Sequence, residues 1–586
     1  MNAVLEAHEP STRYLAALKP ALLDQFDLIA SAPNGVAHLR ELILTLAVQG
    51  KLVPQDPNDE PASVLLERIR TEKARLVKEG KFRKEKPLAS IREKTSFAIP
   101  NGWTETSFAS IGCISGGKTP STHRPEYWGG TIPWVSSKDM KSLWISDTQD
   151  HVTQKAVADG LALVPSGAVL IVVRSGILRR TVPVAITSVP CTVNQDIKAM
   201  QLALPCMAQY VQLMVRGFER FILENLTKVG TTVESIRFED LERYPFPLPP
   251  LAEQSRIVAR VEELMALCDA LESKGKLGAE QHARLVGSLF DSLASSESAH
   301  ALAENWQRIA THFDLLLDRP AAVDALEQTI LQLAVRGLLV SQDPSDEPAS
   351  ALLRKIRVEK DRLIATGQLK RDKPLSPISD EEKPFELPEG WEWVRCGEYF
   401  QELCTGPFGS VIHKEDYVSD GIPLINPSHM IDGEIIADFD VSVPPEMALR
   451  LTAYRLSAGD VVLARRGEMG RFALVTESED GWLCGTGSFF AKLHVECNRR
   501  YLALQLLDPR FRQHLLGQSV GSTMVNMNQR TLLETLVAIP PLAEQSRIVA
   551  RVAELRALCT QLRERLAATT QTQSRLAETL IETVVA

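Results

Sequence analysis

A chain of 586 residues with 44% hydrophobic content can bury several cores, about four domains at roughly 150 residues each. Its formal charge of -9 supplies none of the net basic footprint usual in nucleic-acid binders. No apolar run of about eighteen residues occurs, and the start MNAVLEAHEPSTRYL lacks the basic-then-apolar order of a secretory signal, so neither a membrane span nor export is expected and the location read is cytoplasmic. Nine cysteines without a C-x-x-C pair argue against a disulfide framework or zinc ribbon, and the histidines show no ligand spacing.

In chain order, residues 1–26 form a leader, followed by a helix carrying Leu39, Leu42, Ile43 and Leu46 at helical spacing. Gly50 is placed to end it, QDPNDEP makes a polar connector, and a second helix is expected from Pro61 to Glu79 with Leu65, Ile69 and Leu76 on one side. This frame returns. VQGKLVPQDPNDEPASVLLERIRTEKARL from Val48 recurs as VRGLLVSQDPSDEPASALLRKIRVEKDRL from Val335, displaced by 287. Thirteen residues, PPLAEQSRIVARV, are identical at 249–261 and 540–552, displaced by 291. Each opens an amphipathic helix expected to run about 35 to 40 residues, roughly 50 to 60 Å. Its apolar stripe is Ile257, Val261, Leu264, Cys268 and Leu271, then Ile548, Val552, Leu555, Cys559 and Leu562. One duplication of this size predicts a fused pseudo-dimer rather than a solenoid.

Between the repeated ends lie two inserts with little evident similarity. Apolar runs from Ile132, Ala168 and Val182 in the first, and from Ile422, Asp460 and Phe472 in the second, read as strands. A helical stretch is expected near Tyr501 to Gln518. The fold class is therefore α+β: two compact recognition-sized domains separated by long conserved helices. The expected boundaries are 1–100, 101–248, 249–295, 296–388, 389–539 and 540–586.

Residues Gly112 to Thr119 match the phosphate-loop pattern G-x-x-x-x-G-K-[ST], which would make the chain an ATP-hydrolysing enzyme. That chemistry needs a helix beginning at Lys118-Thr119, and the following Pro120 and Pro125 give no amphipathic helix. No other catalytic signature stands out, including the Asn/Asp-Pro-Pro-aromatic motif of adenine methylation. Polar clusters in the inserts fit DNA contact instead: Lys118, Thr119 and Ser121; Ser136, Ser137 and Lys138; Arg174, Arg179 and Arg180; Asn194 and Gln195; Arg465 and Arg466; Asn526, Asn528 and Gln529. Arginine pairs with guanine, Asn and Gln pair with adenine, and Ser, Thr and Lys serve phosphates. Each residue alone reads more simply as a solvated loop or turn, and it is as sets on Gly-rich segments that they fit DNA contact. Charge does not single the inserts out: residues 104–245 hold 14 Lys/Arg against 13 Asp/Glu, and residues 391–536 hold 13 against 19.

Two helical frames, two dissimilar inserts, the insert ends GTTVESIRFEDLERYPFPLPPLAEQSRIV and GSTMVNMNQRTLLETLVAIPPLAEQSRIV, and YWGGTIPWVSSKD from Tyr127 together resemble the specificity subunit of Type I restriction-modification systems. The resemblance spans essentially the whole chain, and the helical stretch ahead of each insert is similar to subfamilies with an extended N-terminal region. It implies a non-catalytic chain whose inserts each read one half of a bipartite, asymmetric site on double-stranded DNA. The long helices, packed antiparallel, would set the gap. It also implies two methylation subunits docked on the repeated frame and restriction subunits joining them. S-adenosylmethionine, ATP and Mg2+ would then be bound in those partners and no cofactor in this chain.

Overall fold

The computed structural model describes residues 29–30, 32–83, 97–228, 233–371, 373–407, 411–467, 470–517 and 527–585. The expected leader and Asn526 lie outside them. Two compact units are present, residues 1–277 with 569–586 and residues 278–568.

The repeated strings fold into repeated helices. Leu39, Leu42, Ile43 and Leu46 are buried along Gly35–Val48, and Leu326, Ile330 and Leu333 along Pro320–Val335. Each helix ends where expected, because Gly50 and Gly337 adopt φ of 68° and 73°. Both glycines also lie against an indole: an added Cβ would fall 2.9 Å from the Trp103 ring and 2.8 Å from the Trp391 ring. The second frame helices run Ala62–Lys78 and Ala349–Ala365, directly after Pro61 and Pro348.

The long helices are Leu251–Ala294 and Leu542–Val585, 44 residues each, or about 66 Å at ~1.5 Å per residue. Both exceed the expected 35 to 40 residues, and in the first Gly275 and Gly278 lie inside the helix without ending it. The end of each has a role in packing. Ala577 is buried in the core of the first unit with Leu580 and Ile581 beside it. Val286, Phe290 and Leu293 are buried in the core of the second.

Each insert leaves and rejoins the frame through one antiparallel strand pair. In the first unit Thr104–Thr106 pairs with Phe246–Leu248, and in the second Glu392–Arg395 pairs with Leu536–Ile539. The tryptophan before each entering strand donates from Nε1 at 3.0 Å to a buried carboxylate on the long helix, Trp103 to Glu253 and Trp391 to Glu544. Burial pushes both carboxyls above their usual range, although the Gln55 and Trp103 donors, or Gln342 and Trp391, favour the charged form. Arg256 grips Asp59 through two nitrogens, and Arg547 grips Asp346 in the same way.

The inserts themselves share a plan. The main sheet of the first has the order Gly112–Gly116, Ile197–Leu202, Val169–Val172, Val184–Thr187, Trp144–Ile145. That of the second has Phe400–Thr405, Ser488–Leu493, Val461–Ala464, Phe472–Leu474. A smaller sheet flanks each, centred on Trp128–Val135 in one and Ile422–Ile425 in the other. The strand runs expected from Ile132, Ala168, Val182, Ile422, Asp460 and Phe472 all contribute strands. The helical stretch expected near Tyr501 is present in two pieces. The stretch from Tyr501 is two helices, Arg499–Leu507 and Pro509–Gly517, because Pro509 lacks the N–H to continue one. The first insert has the matching pair, Ala208–Gly217 and Glu219–Asn225, which its strand-like composition concealed.

Candidate DNA interface

The polar clusters of the first insert were scattered in sequence, and backbone hydrogen bonds bring most of them to one end of the sheets. Lys118 N–H donates to the Val193 carbonyl, Asn194 N–H to Val135, and both Val173 and Arg174 N–H to Asp196. The segments 117–121, 135–138, 173–174 and 193–196 therefore converge. Thr119 Oγ1 donates to Gln195 Oε1 at 2.5 Å across this rim. Lys118, Ser121, Lys138, Arg174 and Gln195 are exposed there. This surface offers cationic and amide groups that can meet phosphates and base edges.

The second insert repeats the backbone pattern. Gly485 N–H donates to Ile425, and both Arg465 and Arg466 N–H donate to Gly487. Ile236 N–H donates to Val173 in one insert, and Met527 N–H donates to Arg465 in the other. Position for position, Arg174 corresponds to Arg466, and Arg465 corresponds to Val173. Arg174 and Arg466 are both exposed at the end of a fully buried strand. Among the described residues neither side chain has a hydrogen-bond or ion-pair partner. Arg465 is different: its guanidinium lies 5.7 Å from the Phe489 ring centroid and burial lowers its pKa. Sequence reasoning gave these two neighbours equal standing, and the structure makes Arg466 the outward member.

Several other expected contacts are already committed inside the protein. Asn194 is 6% exposed and accepts from the Asp196 N–H at 3.0 Å, which shapes the turn instead of facing DNA. Gln529 donates to the Leu403 carbonyl at 2.6 Å, and Asn528 caps the helix Gln529–Glu534 through the Arg530 N–H. Ser136 donates to Asp139 Oδ2 at 2.7 Å, with its neighbour Ser137 half-buried. Arg179 is paired with the buried Glu234 at 2.6 Å. Arg180 lines a groove with Arg40, Arg216 and Arg220 that none of Lys118, Lys138, Arg174 and Gln195 lines.

The phosphate-loop alternative is overturned. Gly112–Gly116 is a strand paired to Ile197–Leu202, and no helix begins at Lys118; the next element is the short turn Pro125–Tyr127. Gly117 has another reason to be glycine: an added Cβ would lie 2.0 Å from the Val193 carbonyl oxygen. Its counterpart Gly406 would meet the Gly485 oxygen at 2.2 Å, and there Pro407 stands in place of the lysine. Sequence reasoning missed this crossing, although a glycine at both places was its signal.

No helix among the described residues is long and apolar enough to cross a membrane.

The Type I restriction modification DNA specificity domain matches this chain twice, at residues 100–281 and 388–569. The chain is 33% identical to the Type I restriction enzyme EcoEI specificity subunit of Escherichia coli, over 94% of each chain. It is 35% identical to the EcoAI specificity subunit of the same organism, over 90% of each. The solved HsdS subunit of Thermoanaerobacter tengcongensis is 18% identical, with 84% of this chain and 98% of that chain covered and a TM-score of 0.36. With two specificity domains on duplicated helical frames and this identity along nearly its whole length, the chain belongs to the family of Type I restriction-modification specificity subunits.

Proposed function

We propose that each insert reads one half of a bipartite, asymmetric target on double-stranded DNA, and that residues 101–248 and 389–539 are the two reading domains. The observation that carries this reading is the placement of Arg174 and Arg466 at the same strand end of two inserts whose surrounding side chains differ. A shared cationic anchor amid dissimilar neighbours suits a common backbone approach with separate base readout. Lys118, Thr119, Ser121, Lys138 and Gln195 complete the rim in the first insert. The long helices set the unspecified gap, an arrangement supported by each compact unit's including the far end of the other half's long helix.

The chain itself performs no chemistry in this reading. Two methylation subunits dock on the repeated frame, restriction subunits join them, and S-adenosylmethionine, ATP and Mg2+ are bound by those partners in the cytoplasm. Partner surfaces also account for DNA binding by a chain of charge -9, since they can supply the remaining positive clamp. The test is exchange of residues 104–245 for the insert of another specificity subunit, followed by methylome sequencing in cells that also express the methylation subunit. One half of the methylated sequence should change and the other should persist; an unaltered sequence would sink the proposal. Inserting four residues, about one turn, into Leu251–Ala294 should alter the gap and leave the bases unchanged.

A further inference from the structure

Most contacts between frame and long helix are present twice in the same form. Asp59 with Arg256 recurs as Asp346 with Arg547, and Gln55 with Glu253 recurs as Gln342 with Glu544. The apolar faces recur too: Leu39, Ile43 and Leu46 match Leu326, Ile330 and Leu333, while Ile257, Val261 and Leu264 match Ile548, Val552 and Leu555. Contacts this alike hold a wrong helix as well as a right one, because specificity is a difference between affinities.

One contact recurs with its sign reversed. In the first unit Arg40 on the frame helix pairs with Asp269 at 2.6 Å and with Glu272 at 2.8 Å on the long helix. The 287-residue displacement carries Arg40 to Glu327, and the 291-residue displacement carries Glu272 to Arg563. In the second unit Glu327 accordingly pairs with Arg563 and Arg556, and Asp324 pairs with Arg563 at 2.8 Å. Ala37, Met265 and Asp269 stand in the first half where Asp324, Arg556 and Thr560 stand in the second, so the reversal involves five positions. Burial pushes the Glu327 carboxyl up, yet the two guanidiniums outweigh it and hold the group below its usual range.

We propose that this inverted ion pair is a sorting contact, which directs each frame helix to the long helix of its own half and rejects the equivalent long helix of the other half, in the same chain or in a second copy. A crossed arrangement would set Arg40 against Arg556 and Arg563, and Asp324 and Glu327 against Asp269 and Glu272. The largely exposed pairs of Arg40 add little to stability when matched. Clustered like charges at a mismatched helix face are costly, so the contact acts through what it forbids.

The test uses full-length chains bearing two different affinity tags, co-expressed, captured through one tag and quantified through the other. A first variant gives the first half the polarity of the second: Ala37→Asp, Arg40→Glu, Met265→Arg, Asp269→Thr and Glu272→Arg. Every ion pair between frame helix and long helix stays matched and only the Met265 packing is given up, so the chain should still fold, yet sorting is lost and co-capture should rise several-fold above the natural chain. A second variant adds Asp324→Ala, Glu327→Arg, Arg556→Met, Thr560→Asp and Arg563→Glu, inverting both halves. Sorting is restored there, and co-capture should return to the natural level. Co-capture of the first variant at the natural level would overturn the proposal. So would equal co-capture of both variants, whether as exchanged dimers or as aggregates, since the substitutions themselves would then be the cause.

Discussion

The two inserts share almost no sequence and fold alike, whereas the two frames share sequence and are told apart by a reversed charge. In the inserts, likeness resides in the backbone. The same crossings recur, with Gly117 over Asn194 and Gly406 over Gly485, and the same paired N–H donors from residues 173 and 174 and from 465 and 466. A recognition domain can replace nearly every side chain at its rim while strand ends and close crossings stay fixed, because those depend on backbone hydrogen bonds that every residue type but proline supplies. The glycines are the exception, and they give the largest expected effect. Gly117→Ala and Gly406→Ala should each destabilise the chain by up to about 3 kcal/mol in thermal unfolding, since a Cβ there meets backbone oxygen. Lys118→Ala should leave stability unchanged. A mild Gly117→Ala beside a severe Gly406→Ala would break the equivalence of the two crossings.

Arg174→Ala and Arg466→Ala should each weaken binding of the assembled methylating complex by about 1 to 3 kcal/mol. Arg465→Ala should act mainly on folding, through the lost contact with Phe489. If Arg465→Ala harms binding more than Arg466→Ala at equal stability, the assignment of the outward arginine is wrong. Relaxation of only one half of the methylated sequence by each variant would mark a base contact, and uniform weakening a phosphate contact.

A third difference separates the inserts by pH. Asp460 opens its strand where the first insert has Ala168, and burial pushes the Asp460 carboxyl up to about 6. The folded state thus binds that proton more tightly than the unfolded chain. Its contribution favours folding at low pH and is progressively lost as pH rises from about 4 through 6. Asp460→Asn should flatten the dependence of unfolding on pH across that window, and Ala168→Asn should not. An unchanged slope for Asp460→Asn would show that the carboxyl is not the source.

The frame was legible because its signals are local: helical spacing at Leu39 to Leu46, a terminating Gly50, and thirteen identical residues opening each long helix. Strand positions in the inserts were legible for the same reason. What escaped was everything set by pairing across the chain. Arg465 and Arg466 differ only through which of them faces Phe489, and Asn194 looked like a base reader because nothing local records that it shapes a turn with Asp196. The duplication itself carries the equivalence of the two inserts. Comparing inserts by displacement along the repeat aligns Tyr210 with Tyr501 and Gly487 with Asp196, where comparison by residue type sees no likeness.

Those two tyrosines supply the smallest expected effect and the finest test of equivalence. Tyr210 Oη donates to the Pro247 carbonyl at 3.1 Å, and Tyr501 Oη donates to the Ala538 carbonyl at 3.0 Å, each fastening an insert helix to the strand that returns to the frame. Both phenols are fully buried, so removing either hydroxyl forfeits a hydrogen bond worth about 1 kcal/mol. The surroundings differ in one respect. Gln505 Nε2 donates both to the Tyr501 Oη at 2.7 Å and to the Ala538 carbonyl at 3.1 Å, whereas the matching position in the first insert is Met214, which carries no donor. Tyr501→Phe removes one partner of Gln505 but leaves the Gln505 amide and the Ala538 carbonyl bonded to each other, and Tyr210→Phe leaves the Pro247 carbonyl without its phenol donor. Urea unfolding should therefore show the larger loss for Tyr210→Phe. Equal losses would mean that the Gln505 bond does not compensate, and Gln505→Leu in the Tyr501→Phe background would then cost nothing further.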